Sequence, residues 1–311
     1  RISKAYFETL LAKDQVDLFQ YQRSAIQEQL SKAEVQFEAG LISVTDINEA
    51  KTKKALIEAQ QISAIQKLKI KKREIQVITG KLPGKLSPLN PVITFTKVDN
   101  LADDWIKMAQ ENNLELQIKK DEIKVADGEV DLRRSDHYPT IDAIASRSRN
   151  WDKGGFPYGS IKNEGIRSYS DVIGVEISIP IFSGGMTSSR VREAVLLKSK
   201  LEHDVEYLRR GIDLKVRNYY LSLQTNFAEI KAYQQAMAAS TVQLESTQLG
   251  FQEGLRNSVE VLDAQQILFN AKLNVLESRY NYIMNFINLK LSAGMLTLED
   301  LNEINQYLIA S

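Results

Sequence analysis

The chain has 311 residues, 43% of them hydrophobic, with 40 basic side chains against 40 acidic ones and no cysteine. A formal charge of zero argues against a surface built to neutralise phosphate backbones. The lack of cysteine removes disulfides, thiolate metal sites and thiol catalysis together, and no apolar run reaches the roughly 18 to 20 residues of a membrane-spanning helix.

Residues 1–80 contain no proline and few glycines, which marks a helix-rich block. Gly40 divides it into two helical runs. A glycine reaches the positive φ that ends a helix tightly, and Ser43 follows as a capping residue. The basic run KLKIKKRE, Lys67 to Glu74, lies on the second run and reads as a solvated face near a helix C-terminus.

All six prolines lie between Pro83 and Pro180, so the middle of the chain is mixed. A short helix begins near Leu101, with Asp99 or Asn100 as its cap and Trp105 as an anchoring aromatic beside Asp103 and Asp104. A further helix follows until Pro139 stops it. The segment TIDAIASRSRNW then leads into a loop, DKGGFPYGSIKNEG, and out through DVIGVEISIPIF. In the last of these Ile173, Val175, Ile177, Ile179 and Ile181 alternate with Gly174, Glu176, Ser178 and Pro180, the period of two expected of a strand. Each strand has about the length that crosses a bilayer in a β-barrel. Trp151, Phe156 and Tyr158 surround the loop and suit an aromatic girdle at a membrane interface; packing of the loop explains them equally well.

Between Gly185 and Gly250 only Gly211 interrupts the helical pattern, which predicts a helix of about 60 residues. Its apolar stripe runs through Leu197, Leu201, Val205, Leu208, Ile212, Val216, Tyr219, Leu223, Phe227 and Ile230, then through Tyr233, Met237 and Leu244. The period shifts from near 3.67 toward a seven-residue repeat. Such a helix has no core of its own and must bury its stripe against other long helices. A turn at Gly254 follows, with Asn257 or Ser258 as cap. A shift of 214 positions pairs this block with the first. FEAGL (Phe37 to Leu41) falls on FQEGL (Phe251 to Leu255), Tyr6 on Tyr220, Ala50 on Ala264 and Gly80 on Gly294, as an internal duplication of a helical hairpin would give.

PIFSGGMTSSRVREA, FQEGLRNSVEVLDAQ, ESRYNYIMNFINLKLSAG and MLTLEDLNEINQYL, in that order, together with the duplicated hairpin and YPTIDAIAS, resemble the TolC family of outer-membrane efflux and type I secretion channel proteins. The resemblance covers nearly the whole chain. It implies a mainly α fold with a small β part: long α-helical hairpins forming a coiled-coil α-barrel, plus an outer-membrane β-barrel strand pair, in a trimeric channel. The implied divisions are a truncated first-repeat hairpin (1–80), an equatorial segment (81–110), a helix leading to the barrel (111–137), the strand pair with its extracellular loop (138–183), the second-repeat hairpin (184–294) and a C-terminal equatorial segment (295–311). The first repeat lacks its strand pair and upper helix, so roughly 75 residues would precede Arg1.

The resemblance further implies a passive, non-enzymatic exit duct in the outer membrane, extending into the periplasm. Its partners would be a homotrimer of this chain, a periplasmic adaptor (membrane fusion) protein, an inner-membrane transporter and outer-membrane lipid, with no nucleic acid and no cofactor. Ile173, Val175, Ile177 and Ile179 would face lipid. In the family an aromatic and an arginine of the second repeat bond an aspartate of the first, and here Phe251, Arg256 and Asp46 match those positions. Phe251 stands where the family has tyrosine, so one hydroxyl-to-carboxylate link is absent. Glu260 and Asp263 match two acids lining the throat, with Glu260 in place of aspartate. The plainer alternative for these acids is that carboxylates in a first helical turn stabilise the helix dipole by ~0.3 to 1 kcal/mol. No nucleophile-base pair is visible, and His137 and His203, the two imidazoles, lie in different segments, so no metal site is expected. A periplasmic coiled-coil adaptor or structural protein would share the hairpins but need different β halves around them.

Overall fold

A computed structural model describes residues 1–40, 42–98, 101–152 and 166–309. The elements are α1 (Ile2–Glu38), α2 (Val44–Thr79), α3 (Ala102–Asn112), α4 (Leu114–Ser135), β1 (Thr140–Asp152), β2 (Ile166–Ser178), α5 (Met186–Gln252), α6 (Ser258–Ser292) and α7 (Leu298–Asn305). The chain divides into two compact units, Arg1–Asn113 with Arg210–Ser311, and Leu114–Arg209. No described helix is long and apolar enough to cross a membrane.

In the first unit α1 packs along α2 and also touches α6. Ile26 and Leu30 of α1, Ala50 and Ile57 of α2 and Leu262 of α6 form one buried cluster. Phe19 and Phe269 meet at 5.1 Å between ring centroids, and Phe7 and Tyr280 at 6.4 Å. The seam between α1 and α6 is otherwise polar. Gln15, Gln22 and Gln29, seven residues apart on α1, are all buried. They donate to Glu277 Oε1 (2.8 Å), Gln266 Oε1 (2.8 Å) and Ser258 Oγ (3.4 Å) of α6. Buried amides at a heptad position forgo some hydrophobic stabilisation and in return fix helix register.

Most of the basic run on α2 is exposed, as expected, but two of its lysines reach partners. Lys71 lies between Glu8 of α1 and Glu74, at 2.8 Å from each, and Lys67 donates to Gln15 Oε1 at 3.4 Å. These lysines sit on the side of α2 that faces α1, where their stems cover apolar surface while the heads find partners.

The two segments expected to be equatorial, termed the collar below, meet each other. Leu89 and Leu308 form an antiparallel bridge, flanked by Asn90 N–H to Tyr307 O at 2.8 Å and Ile309 N–H to Pro88 O at 2.9 Å. Phe95 stacks on Tyr282 and Tyr307, with centroids 4.7 and 6.1 Å away. Helix α3 is joined to α5 by Asp103–Arg217 (2.9 Å) and by Gln110 donating to Asp213 (3.0 Å), and Trp105 is buried. Its cap differs from the expectation. Leu101 occupies the N-cap position, its N–H donating to Asp104 Oδ2 at 3.3 Å, while Asp99 and Asn100 lie outside the described residues. The apolar side of a helix start can occupy that position when an acid at N3 accepts the orphan amide.

Helix α5 has 67 residues, about 100 Å at ~1.5 Å per residue. Along the expected stripe Ile212, Val216, Leu223 and Ile230 are buried, whereas Leu197 is exposed.

In the second unit β1 and β2 pair antiparallel, 13 residues each, from Thr140 opposite Ser178 to Asp152 opposite Ile166. Strand β2 thus starts before Asp171 and stops before Ile179 and Ile181. Pro180 has no N–H to give a ladder, and Pro139 closes the opposite strand at the same level. Ile179, expected on the membrane strand, therefore lies outside β2, while Ile173, Val175 and Ile177 lie within it. Phe156 and Tyr158 lie outside the described residues.

Candidate functional site

The sequence singled out the two hairpin tips, and their backbones prove to be copies. Gly40 and Gly254 both have φ of 74°, the left-handed conformation that lets each helix end abruptly. Ser43 caps α2 and Asn257 caps α6, each in a reciprocal capping box whose N3 acid is Asp46 or Glu260. Ser43 N–H donates to Asp46 Oδ2 at 3.1 Å, and Asn257 N–H to Glu260 Oε2 at 2.9 Å. Of the two candidate caps in the second repeat, Asn257 takes the role. Ser258 is the first helical residue, buried against Gln29. Asp46 and Glu260 therefore each satisfy an orphan amide at a helix start.

The charges added to this shared frame differ between the tips. Arg256 Nη1 bonds Glu260 Oε1 at 3.0 Å, and Glu260 is held below the usual carboxylate range, first by the Asn257 amide and then by Arg256. The structure does not bring Arg256 onto Asp46 within the chain, since each is engaged locally. Asp263 pairs with Lys53 of α2 at 2.5 Å, and Lys53 also holds Glu49 at 3.1 Å. Burial works against the Lys53 charge, but the bonds to Asp263 and Glu49 outweigh it and raise the ammonium above its ordinary range. Glu49 and Asp263 are equivalent positions of the two repeats, so one lysine ties together the same acid from each. Phe251 is half-buried in the last turn of α5. Arg256, Glu260 and Asp263 line an open groove of about 390 Å³ with Gln243, Ser246 and Thr247.

Sequence reasoning missed two participants. Lys53 has no motif around it and is found only once α2 and α6 are placed side by side. Gly250 carries a faint signal, as a glycine inside a helical run where the first repeat has Gln36. Its N-terminal flank supports the turn: Gly250 O accepts from Leu255 N–H at 2.8 Å and Arg256 N–H at 3.1 Å. A methyl at Gly250 would stand 2.9 Å from Arg256 Cγ, closer than carbon atoms pack, so the arginine stem lies where only a glycine leaves room.

Taken by itself, the strand pair has two unlike faces. Ile141 and Ile177, Ala143 and Val175, and Ala145 and Ile173 stand opposite one another on one face, with Ile173 90%, Val175 69% and Ile177 61% exposed. The other face is mixed, with Asp142 opposite Glu176, Ser148 opposite Ser170 and Asn150 opposite Ser168, but also Ile144 opposite Gly174 and Ser146 opposite Val172. An exposed apolar face opposite a mixed one suits a stave between lipid and a water-filled lumen.

The sequence profile described as "Outer membrane efflux protein" matches residues 105–295. The chain is 29% identical over 312 aligned residues to the outer membrane protein TolC of Vibrio cholerae, covering 98% of this chain and 69% of that protein. It is 28% identical to the alkaline protease secretion protein AprF of Pseudomonas aeruginosa, covering 97% of this chain and 62% of that one. The solved outer membrane channel CmeC of Campylobacter jejuni superposes with a TM-score of 0.78 at 14% identity, over 99% of this chain and 66% of its own; at that identity the likeness concerns the fold. The chain thus spans roughly two thirds of the length of the proteins it resembles. The profile match extends over more than half of the sequence, from the collar helix through the strand pair to the end of the second hairpin, and the chain belongs to the outer membrane efflux protein family.

Proposed function

We propose that the chain forms part of a passive exit duct in the outer membrane, gated where the hairpin tips converge. The duct would assemble as a homotrimer and be engaged by a periplasmic adaptor and an inner-membrane transporter. Its cargo would be small molecules, secreted proteins or both, in keeping with the names of the relatives. The observation that carries this reading is the strand hairpin, whose face bearing Ile173, Val175 and Ile177 is apolar and exposed and whose opposite face is mixed, in a chain of this family. No enzymatic step is assigned, and transport energy would come from the partner.

In this reading Ile173, Val175 and Ile177 face lipid. Asp46, Phe251, Arg256, Glu260 and Asp263 form the constriction, with Gly40 and Gly254 setting the turns. The Arg256–Glu260 and Lys53–Asp263 pairs hold the tips of one protomer, and trimer symmetry would multiply the remaining charge into a ring that favours cations. Opening is then a population shift between two packings of the same hairpins. Replacing Arg256 by alanine in the full-length protein is expected to raise single-channel conductance in a planar bilayer. Unchanged conductance would remove Arg256 from the gate.

A further inference from the structure

The loop-proximal half of the apolar face of β1–β2 changes character. Above the last apolar pair, Ala145 and Ile173, the opposed pairs are Arg147 with Asp171, Arg149 with Tyr169, and Trp151 with Arg167. Arg147 and Asp171 neutralise each other through bonds of 2.9 and 3.3 Å. The Arg149 guanidinium lies 5.9 Å from the centre of the Tyr169 ring and that of Arg167 lies 5.4 Å from the Trp151 ring. Neither Arg149 nor Arg167 has a carboxylate partner among the described residues. Both are exposed, as are Tyr169 and Trp151. The patch therefore presents three guanidiniums against one carboxylate, with two of the three lying over rings.

We infer that this patch binds the phosphate headgroups of anionic membrane lipids. The inference rests on the reading above that the apolar face meets lipid. Successive pairs on one face rise by about 7 Å along a strand, which is about 5 Å of depth at a tilt near 40°. The three pairs therefore stand about 5, 10 and 15 Å beyond the last apolar pair, a span that includes the headgroup layer of one leaflet. Aromatic rings favour that level because one end of each is apolar and the other wet. A guanidinium over a ring at this distance still has N–H groups directed to solvent for a bidentate contact, the geometry that matches phosphate. Charge selects the lipid: each arginine near an anionic surface contributes about 1 kcal/mol of attraction, a roughly fivefold local enrichment.

The two tryptophans of the chain, Trp105 and Trp151, make this measurable. The full chain is reconstituted in phosphatidylcholine vesicles doped with either dibrominated phosphatidylglycerol or dibrominated phosphatidylcholine at equal mole fraction. Quenching of Trp151 is taken as the difference between wild type and Trp151→Phe. Phosphatidylglycerol is expected to quench Trp151 several-fold more efficiently. The double replacement Arg149→Gln with Arg167→Gln should bring the two lipids to parity while quenching by both persists. Equal quenching in wild type, or a preference that survives the double replacement, overturns the headgroup site and leaves the membrane assignment standing. No quenching by either lipid sinks the membrane assignment itself, and the headgroup site with it.

Discussion

Near Asn90 the polar contacts of α6 are buried, while at the tips, some 20 residues further along, its ion pairs are exposed and lie over the apolar cluster of Ile26, Leu30, Ala50, Ile57 and Leu262. Tyr280, 1% exposed, donates to Asp14 Oδ2 at 2.6 Å. Arg279 reaches Asn90 O at 2.6 Å and Tyr282 reaches Thr96 O at 2.5 Å, and Lys290 binds Asp300. These contacts join α6 to α1 and to both collar segments. At the tips Arg256 and Asp263 are 58% and 60% exposed in their side chains, and most bonds close within a single turn. Exposed pairs contribute ~0 to 1 kcal/mol, whereas breaking a buried charged bond costs several times that. The two ends therefore differ in their charged contacts, costly to break near Asn90 and weak at the tips, rather than in apolar packing, which the cluster around Leu262 carries at the tip end.

The sharpest way to break that contrast is at a pair of equivalent glycines. Gly80 and Gly294 end α2 and α6 with φ of 76° and 70°. Around Gly80 a methyl would meet nothing within 4 Å, but at Gly294 it would overlap the Asn112 carbonyl and come 2.9 Å from the Asn113 nitrogen. Gly294→Ala adds overpacking against the backbone at the end of α3 to the left-handed strain and should cost about 3 kcal/mol. Gly80→Ala pays the strain alone, about 1 kcal/mol. Urea denaturation of the two variants side by side tests this. Equal losses would mean that the end of α3 does not press on Gly294.

The Tyr280–Asp14 bond is the next largest. Burial raises Asp14 above the usual carboxylate range, against the lowering effects of Tyr280, Lys13 and Arg279. A carboxyl raised in the folded state contributes stability that is fully present below its unfolded value near 3.9 and is lost as pH rises through the folded value. Removing the hydroxyl with Tyr280→Phe leaves the ionised carboxylate with one donor fewer. The expected loss is about 2 kcal/mol at neutral pH, shrinking as pH falls toward about 4 and Asp14 takes up its proton. Asp14→Asn should flatten the pH dependence. Denaturation midpoints at both pH values settle it, and a pH-independent loss in Tyr280→Phe would show that Asp14 is not the group concerned.

Why some of this was legible in the sequence and some was not follows from which contacts are local. The strand alternation, the long α5 and the turn glycines each depend on a few neighbouring residues, as does the cap at Ser43, while the choice between Asn257 and Ser258 needed the structure. Strand ends were misplaced by the alternation at Ile179 and Ile181, where a proline overrode periodicity. The amide ladder Gln15–Gln22–Gln29, the Asp14–Tyr280 bond and the role of Lys53 depend on which faces of α1, α2 and α6 meet. A glutamine or lysine on an amphipathic helix reads as surface until its neighbour is placed. The alternation also concealed the basic patch, because Arg147, Arg149 and Arg167 continue the apolar face only once the register aligns them.

The smallest expected effect is at Lys53, the residue that ties the two tips together. Its side chain is 23% exposed and that of Asp263 60% exposed, so solvent reaches the pair through Asp263 and Lys53→Met should change stability by less than about 1 kcal/mol. Its electrical effect is expected to be larger than its mechanical one. Lys53 stands against both Glu49 and Asp263, and without it two acids of each protomer lose their shared counter-charge. Reversal potentials across a salt gradient should then shift toward stronger cation preference, and the shift should fade at high ionic strength, where the screening length falls to about 3 Å at 1 M. A change in stability with no change in ion preference would place Lys53 in packing alone, and the tips would then owe their field to Glu260 and Asp46 instead.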